Sequence, residues 1–178
     1  MQIVITQLKK MELYEMENLK EIWPSNDGEV RFSLLKVIDV KFCNSLVNLF
    51  PRNPMSLLHH LEELTVMYCN SIDVLFNIDL GRVGEIEEVN SKLKYMEIWV
   101  LENLREIWRV KGENASNRCI MRFKALENIT TFNCESLSRV FPSTVHFDTE
   151  VVVNDEHRLA MRKSRKVRDI AWRYVDSP

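Results

Sequence analysis

Leu35-Lys36-Val37-Ile38-Asp39-Val40-Lys41-Phe42-Cys43-Asn44-Ser45-Leu46-Val47-Asn48-Leu49-Phe50-Pro51 is the stretch on which the fold turns. With Leu35 as position 1, apolar residues or cysteine stand at 1, 4, 6, 9, 12 and 15, and an aromatic ring follows at 16. Ile38 and Val40 are two residues apart, so in an extended backbone both point to one side. Cys43, Leu46 and Leu49 then come three apart, the spacing of a tight, 3₁₀-like return. A unit that small cannot cover its own apolar edge, so the pattern requires neighbours of the same kind.

Those neighbours are present on both sides. Upstream stand Leu8, Met11, Leu13, Met16, Leu19 and Ile22, then Trp23. Downstream come Leu61, Leu64, Val66, Cys69, Ile72, Leu75 and Phe76, then Leu93, Met96, Ile98, Leu101, Leu104, Ile107 and Trp108. A fifth copy uses Leu126, Ile129, Thr131, Cys134, Leu137, Val140 and Phe141. Thr131 is the only residue before the aromatic that is neither apolar nor cysteine, and the spacing never slips. The starts at 8, 35, 61, 93 and 126 fit leucine-rich repeats of ~20–29 residues, with longer loops after the third and fourth. The expected architecture is an α/β leucine-rich-repeat solenoid. A curved parallel sheet would line the concave side, and short helical or 3₁₀ turns and loops the convex side. Residues 1–142 carry the repeats, and 143–178 form a tail or cap. The trailing rings Trp23, Phe50, Phe76, Trp108 and Phe141 predict a packed column on the convex side, with Phe32 and Phe123 covering it.

If positions 4 and 6 face inward, positions 3, 5 and 7 face out. There the residues vary in size and charge, as a surface for a partner requires. Tyr14, Phe42, Met67, Tyr68, Tyr95, Trp99 and Phe132 predict an apolar strip beside an acidic one of Glu12, Asp39 and Glu97. Coverage of some of these by neighbouring loops is the alternative.

Composition excludes other classes. A net charge of −2 over 178 residues predicts no general attraction to nucleic acid or membrane. No stretch approaches the ~18 apolar residues of a membrane span, and no secretory signal is visible, which predicts a cytoplasmic protein. There is no P-loop, GxGxxG, nucleophile elbow or HExxH, and neither cysteines nor histidines have zinc spacing. The expectation is a protein that is not an enzyme and takes no cofactor, metal or small-molecule substrate. Cys43, Cys69 and Cys134 share position 9, where a small, buried, weakly donating thiol fits and is expected to stay free. Beyond Pro142, Val151-Val152-Val153 suggests one further strand. Residues 157–173 hold seven Lys/Arg and one Asp. Leu159, Lys163, Val167, Ile170 and Tyr174 recur there at helical spacing. Three readings fit that segment: a cap on the last repeat, a contact with an acidic surface or nucleic acid, and a tail from an altered reading frame.

The wording between the rungs carries more than the template. Leu101-Glu-Asn-Leu-Arg-Glu-Ile-Trp108 echoes Met16-Glu-Asn-Leu-Lys-Glu-Ile-Trp23, and Asn133-Cys-Glu-Ser-Leu-Ser-Arg-Val-Phe-Pro142 echoes residues 42–51. Over residues 8–142 the chain resembles the leucine-rich-repeat region of plant coiled-coil, nucleotide-binding, leucine-rich-repeat (NLR) disease resistance proteins. The resemblance implies a protein-binding recognition module in plant defence. Its partner would be a pathogen effector, a modified host protein, or the receptor's own nucleotide-binding domain. The coiled coil and nucleotide-binding module are not in this sequence, which implies a fragment, a truncated form or a repeat-only relative. A structural or non-functional remnant, or an F-box-like substrate adaptor lacking its partner domain, are the rival readings.

Overall fold

The computed structural model describes residues 3–5, 7–23, 30–32, 34–50, 54–79, 87–111, 119–141, 145–147 and 152–155. In chain order the elements are β1 (Ile3–Ile5), β2 (Lys10–Tyr14), β3 (Val30–Phe32), β4 (Val37–Lys41), α1 (Met55–Leu58), β5 (Glu63–Met67) and β6 (Val74–Asp79). They continue with β7 (Glu87–Ser91), β8 (Tyr95–Trp99), β9 (Glu106–Lys111), β10 (Cys119–Phe123), β11 (Asn128–Phe132), β12 (Val145–Phe147) and β13 (Val152–Asp155).

Positions 3 to 7 of every repeat form a strand, and these five strands, with β13 added at one edge, stack in parallel in the order β13-β11-β8-β5-β4-β2. The register is that of the template: Met11, Ile38, Leu64, Met96 and Ile129 stand side by side, as do Leu13, Val40, Val66, Ile98 and Thr131. A one-residue slip would turn every inward residue outward, so the buried rungs hold the register. Ile38, Val40, Leu64, Val66, Met96, Ile98 and Ile129 are at most 1% exposed, and even Thr131 is buried. The strand expected near Val151–Val153 is β13, whose Val152 and Val153 align with Asn128 and Ile129.

Position 8 turns the corner. Glu15, Phe42, Tyr68, Val100 and Asn133 all have φ between 51° and 57°. The left-handed region costs an L-residue roughly 1–2 kcal/mol, and for a β-branched residue such as Val100 it is a true outlier. The ladder over-determines it, because the position-8 amide still donates to the next repeat: Phe42 N to Met67 O at 3.0 Å, Tyr68 N to Trp99 O at 2.9 Å, Val100 N to Phe132 O at 2.7 Å. The chain then turns tightly, with the position-12 amide donating to the position-9 carbonyl in all five repeats.

After that turn the structure departs from the expectation of helical turns. The return limbs of the third and fourth repeats are strands, β6 and β9, paired in parallel with Phe76 opposite Trp108 and Ile78 opposite Val110. The longer loops carry strands too, in the order β12-β10-β7, and α1, four residues long, is the one helix among the described residues. Spacing supplies the reason. Strands stack about 4.8 Å apart, whereas a helix with its side chains is about 10 Å across. Limbs rich in β-branched and aromatic residues that follow the sheet's own spacing therefore run extended.

The two layers enclose one core. Phe50 and Phe76 stack at 4.3 Å between centroids, and Phe76 and Trp108 at 3.9 Å. Beyond Trp108 the column changes: Phe123 inserts edge-on at 5.3 Å, and Phe141 follows it at 5.9 Å. The indole N–H of Trp23 donates to Leu49 O at 3.0 Å. The side chain of Phe32 lies outside the description. At β2 the sheet has a neighbour on one side only among the described residues. Met16, the position-9 rung there, is accordingly 45% exposed instead of buried.

Charged residues at position 2 cross-link the stack. Glu62 accepts from Lys36 Nζ at 2.7 Å and from Lys94 Nζ at 2.8 Å, tying three repeats. These two hydrogen bonds hold its carboxyl at about 2, below the usual carboxylate value. A depressed carboxylate contributes stability above its unfolded pKa of about 4.3, and loses it as pH falls through the folded value. Both lysines are well exposed, so solvent limits the effect to about 1 kcal/mol or less. Glu62→Gln is expected to lower the melting temperature slightly at neutral pH and low salt. The gap from the parent should close between about pH 4.3 and about pH 2; an unchanged gap at the acid end would assign the loss to something other than the ion pairs.

Candidate protein-binding face

Positions 3, 5 and 7 emerge together on the outer face of the six-stranded sheet. Tyr14, Tyr68 and Tyr95 are 59%, 38% and 42% exposed. Glu12 and Glu97 are exposed, and Asp39, Phe42, Met67, Trp99 and Phe132 are half-buried. The apolar residues fall into two groups. Tyr14 meets Phe42 edge-on at 5.3 Å, and Phe42 stacks on Tyr68 at 4.7 Å with the rings 4° from parallel. Trp99 packs on Phe132 at 5.5 Å, and the register sets Met67 beside Trp99. The first group comes from positions 7 and 8, because the left-handed corner carries Phe42 and Tyr68 round beside Tyr14. Alternation along a strand does not reveal that grouping.

The acidic strip is less uniform than its sequence. Lys10 pairs with Glu12 at 2.8 Å, and that carboxylate holds the lysine's pKa above its usual value. Lys41 pairs with Asp39 at 2.9 Å, while the other carboxylate oxygen of Asp39 is buried with no hydrogen-bond partner among the described residues. Glu97 stands on the next pair of strands, diagonal to Glu63 and on the same strand as Tyr95. The Tyr95 hydroxyl donates to Glu127 at 2.6 Å, which raises the phenol's pKa. Glu63, which position 3 places on this face, and Glu127 belong with this cluster, although the acidic strip read from the sequence did not include them. Glu127 precedes its strand, where alternation assigns no face.

Below the face the position-9 thiols are satisfied by backbone. Cys69 Sγ lies 3.3 Å from Met67 O, and Cys134 Sγ 3.5 Å from Phe132 O. Cys43, Cys69 and Cys134 are buried thiols outside any disulfide. Among the described residues no three His, Cys, Asp or Glu side chains are grouped to hold a metal ion. In the same residues no helix is long and apolar enough to cross a membrane.

A repeated 1-4-6-9-12-15 ladder that folds into one in-register sheet can now be set beside known families. The family model of leucine-rich repeats in RPS2-like plant disease resistance proteins matches residues 1–56 and 28–151. The chain belongs to this family. Neither the curated proteins nor the solved structures searched contain a match. The family match spans the five repeats and ends within a few residues of β13. The structure divides the aromatic residues of the outer sheet face into a stack on β2, β4 and β5 and a tryptophan-centred group on β8 and β11.

Proposed function

We propose that this chain is a protein-recognition module of a plant intracellular immune receptor of the NLR type, acting in defence. The reading takes the repeats as a short solenoid whose outer sheet face binds a protein. That protein is a pathogen effector, a host protein that an effector modifies, or the receptor's own nucleotide-binding domain. On this reading the chain works in the cytoplasm as part of a larger receptor, and catalysis is no part of its role. One observation carries the proposal: rings of a size that elsewhere fill the core stand on the solvent side of the sheet, in register with one another. Large exposed aromatics grouped on a rigid sheet cost solubility, and interfaces are where such residues cluster.

The test is the double variant Trp99→Ala/Phe132→Ala, in a receptor assembled with candidate partners. Both side chains are half-buried on the face and lie outside the aromatic core column. Central aromatic anchors are worth about 2 kcal/mol or more, so binding by calorimetry should weaken about thirtyfold or more at unchanged circular dichroism. Binding to every candidate at the parent's affinity, with the fold intact, would overturn the assignment of this face.

A further inference from the structure

The charge carried by the strands, and by the residue before each, is divided between the two halves of the sheet. Over positions 2 to 7, β2 and β4 carry four lysines (Lys9, Lys10, Lys36, Lys41) against two carboxylates, Glu12 and Asp39. Over the same positions, β5, β8 and β11 carry four carboxylates (Glu62, Glu63, Glu97, Glu127) against the single Lys94. The acidic half also holds Tyr95, Met67, Trp99 and Phe132, so it offers apolar surface beside negative charge. It is also the half that adjoins β13, the last described strand of the sheet.

The most basic stretch of the sequence begins two residues after β13 ends. Residues 157–173 hold seven Lys/Arg against one Asp, with Leu159, Val167 and Ile170 between them. Their reach is sufficient. From β13 to β5 is three strand spacings, about 14 Å, whereas 17 residues extend about 25 Å even at helical rise. We propose that residues 157–173 dock across the acidic half of the outer face, over Glu63, Glu97 and Glu127. Charge complementarity selects that half, because the β2/β4 half carries the same sign as the segment. The docking stands without any external partner.

Zero-length carbodiimide coupling of the full chain, followed by peptide mass spectrometry, tests the docking. Lys163 and Lys166 are expected to couple to Glu63, Glu97 or Glu127, at a yield independent of protein concentration. In about 0.5 M salt the yield should fall severalfold. In the double variant Glu63→Lys/Glu97→Lys it should fall by a similar factor. Coupling of Glu62 to Lys36 and Lys94, paired at 2.7 and 2.8 Å, reports that the fold and the reagent are intact in each sample. Coupling of Glu62 without any from Lys163 or Lys166 to the three glutamates would overturn the proposal. So would coupling of those lysines chiefly to Glu85–Glu88, or a yield that grows with concentration, which would place the contact between copies. No partner protein enters this experiment, so its failure leaves the recognition reading to the tryptophan and phenylalanine variants, and theirs leaves the docking to the cross-links.

Discussion

Phe76→Ala is expected to remove about 4 kcal/mol of folding stability, enough to unfold much of the population near 37 °C. Phe76 is fully buried, and its ring is sandwiched between Phe50 at 4.3 Å and Trp108 at 3.9 Å. Truncation deletes the transfer energy of a phenyl ring and leaves a cavity walled by two flat rings, which cannot close around an alanine methyl. It also removes two stacked contacts, each worth about 0.5–1.5 kcal/mol beyond burial. A second reason for a large effect is position: Phe76 lies in β6, whose partner β9 carries Trp108 at the matching register. Loss of the ring therefore weakens the contact between adjacent repeats, and in a stacked array that coupling sustains cooperativity.

The comparison that gives this result meaning is Tyr14→Ala. Tyr14 is as large, but 59% exposed and at the edge of the outer stack. Its loss should cost well under 1 kcal/mol, since surface changes outside a packed core stay within about half a kcal/mol. Urea titration of both variants measures the difference. Equal losses would mean that the inward and outward columns are not energetically distinct. Phe50→Leu, which keeps most of the apolar volume at the next rung, should fall between them.

The inward rungs were legible because burial makes the same demand at the same place five times. Ile38, Leu64, Met96 and Ile129 must all be apolar, so their spacing announces itself. Two features lay beyond that logic. The left-handed corner at position 8 is occupied by Glu15, Phe42, Tyr68, Val100 and Asn133, of which only Asn133 is a residue type that favours the conformation. The corner is imposed by the ladder bonds on either side of it, and a constraint supplied by neighbouring repeats leaves no mark on the residue itself. The return strands were missed because three-residue spacing suits a 3₁₀ turn as well as an extended limb. The choice was made by the pairing of β6 with β9, a contact between repeats. Phe123, expected to cover the column, stands within it between Trp108 and Phe141. On the outer face the pattern did not give the grouping of the residues it named. The stack of Tyr14, Phe42 and Tyr68 depends on the corner, and Glu127 and Glu62 stand before their strands, where alternation is silent.

Cys69 is expected to react with an aromatic disulfide reagent about two hundredfold more slowly than an ordinary thiol at pH 8. Burial pushes its pKa up to about 11, with the neighbouring Cys43 thiol a smaller influence. At pH 8 a thiol of pKa about 8.5 is roughly one-quarter thiolate, and one of pKa about 11 is about 0.1% thiolate; the thiolate is the nucleophile. Full burial beneath the sheet blocks the reagent as well, so the factor from ionisation is a lower limit in the folded chain. The raised value has a consequence for stability. A thiol that resists ionising when folded favours the native state below its unfolded pKa, and that contribution is lost as pH rises from about 8.5 towards about 11. Sulfur–carbonyl bonds act in the same sense: Cys69 Sγ donates to Met67 O at 3.3 Å only while it carries its proton. Colour release in native buffer, with the labelled cysteine assigned by mass spectrometry, gives the rate, and the same chain in concentrated urea gives the reference. Labelling of Cys69 at the reference rate, in a chain that keeps its circular dichroism, would mean that position 9 opens to solvent far more readily than a closed repeat core allows.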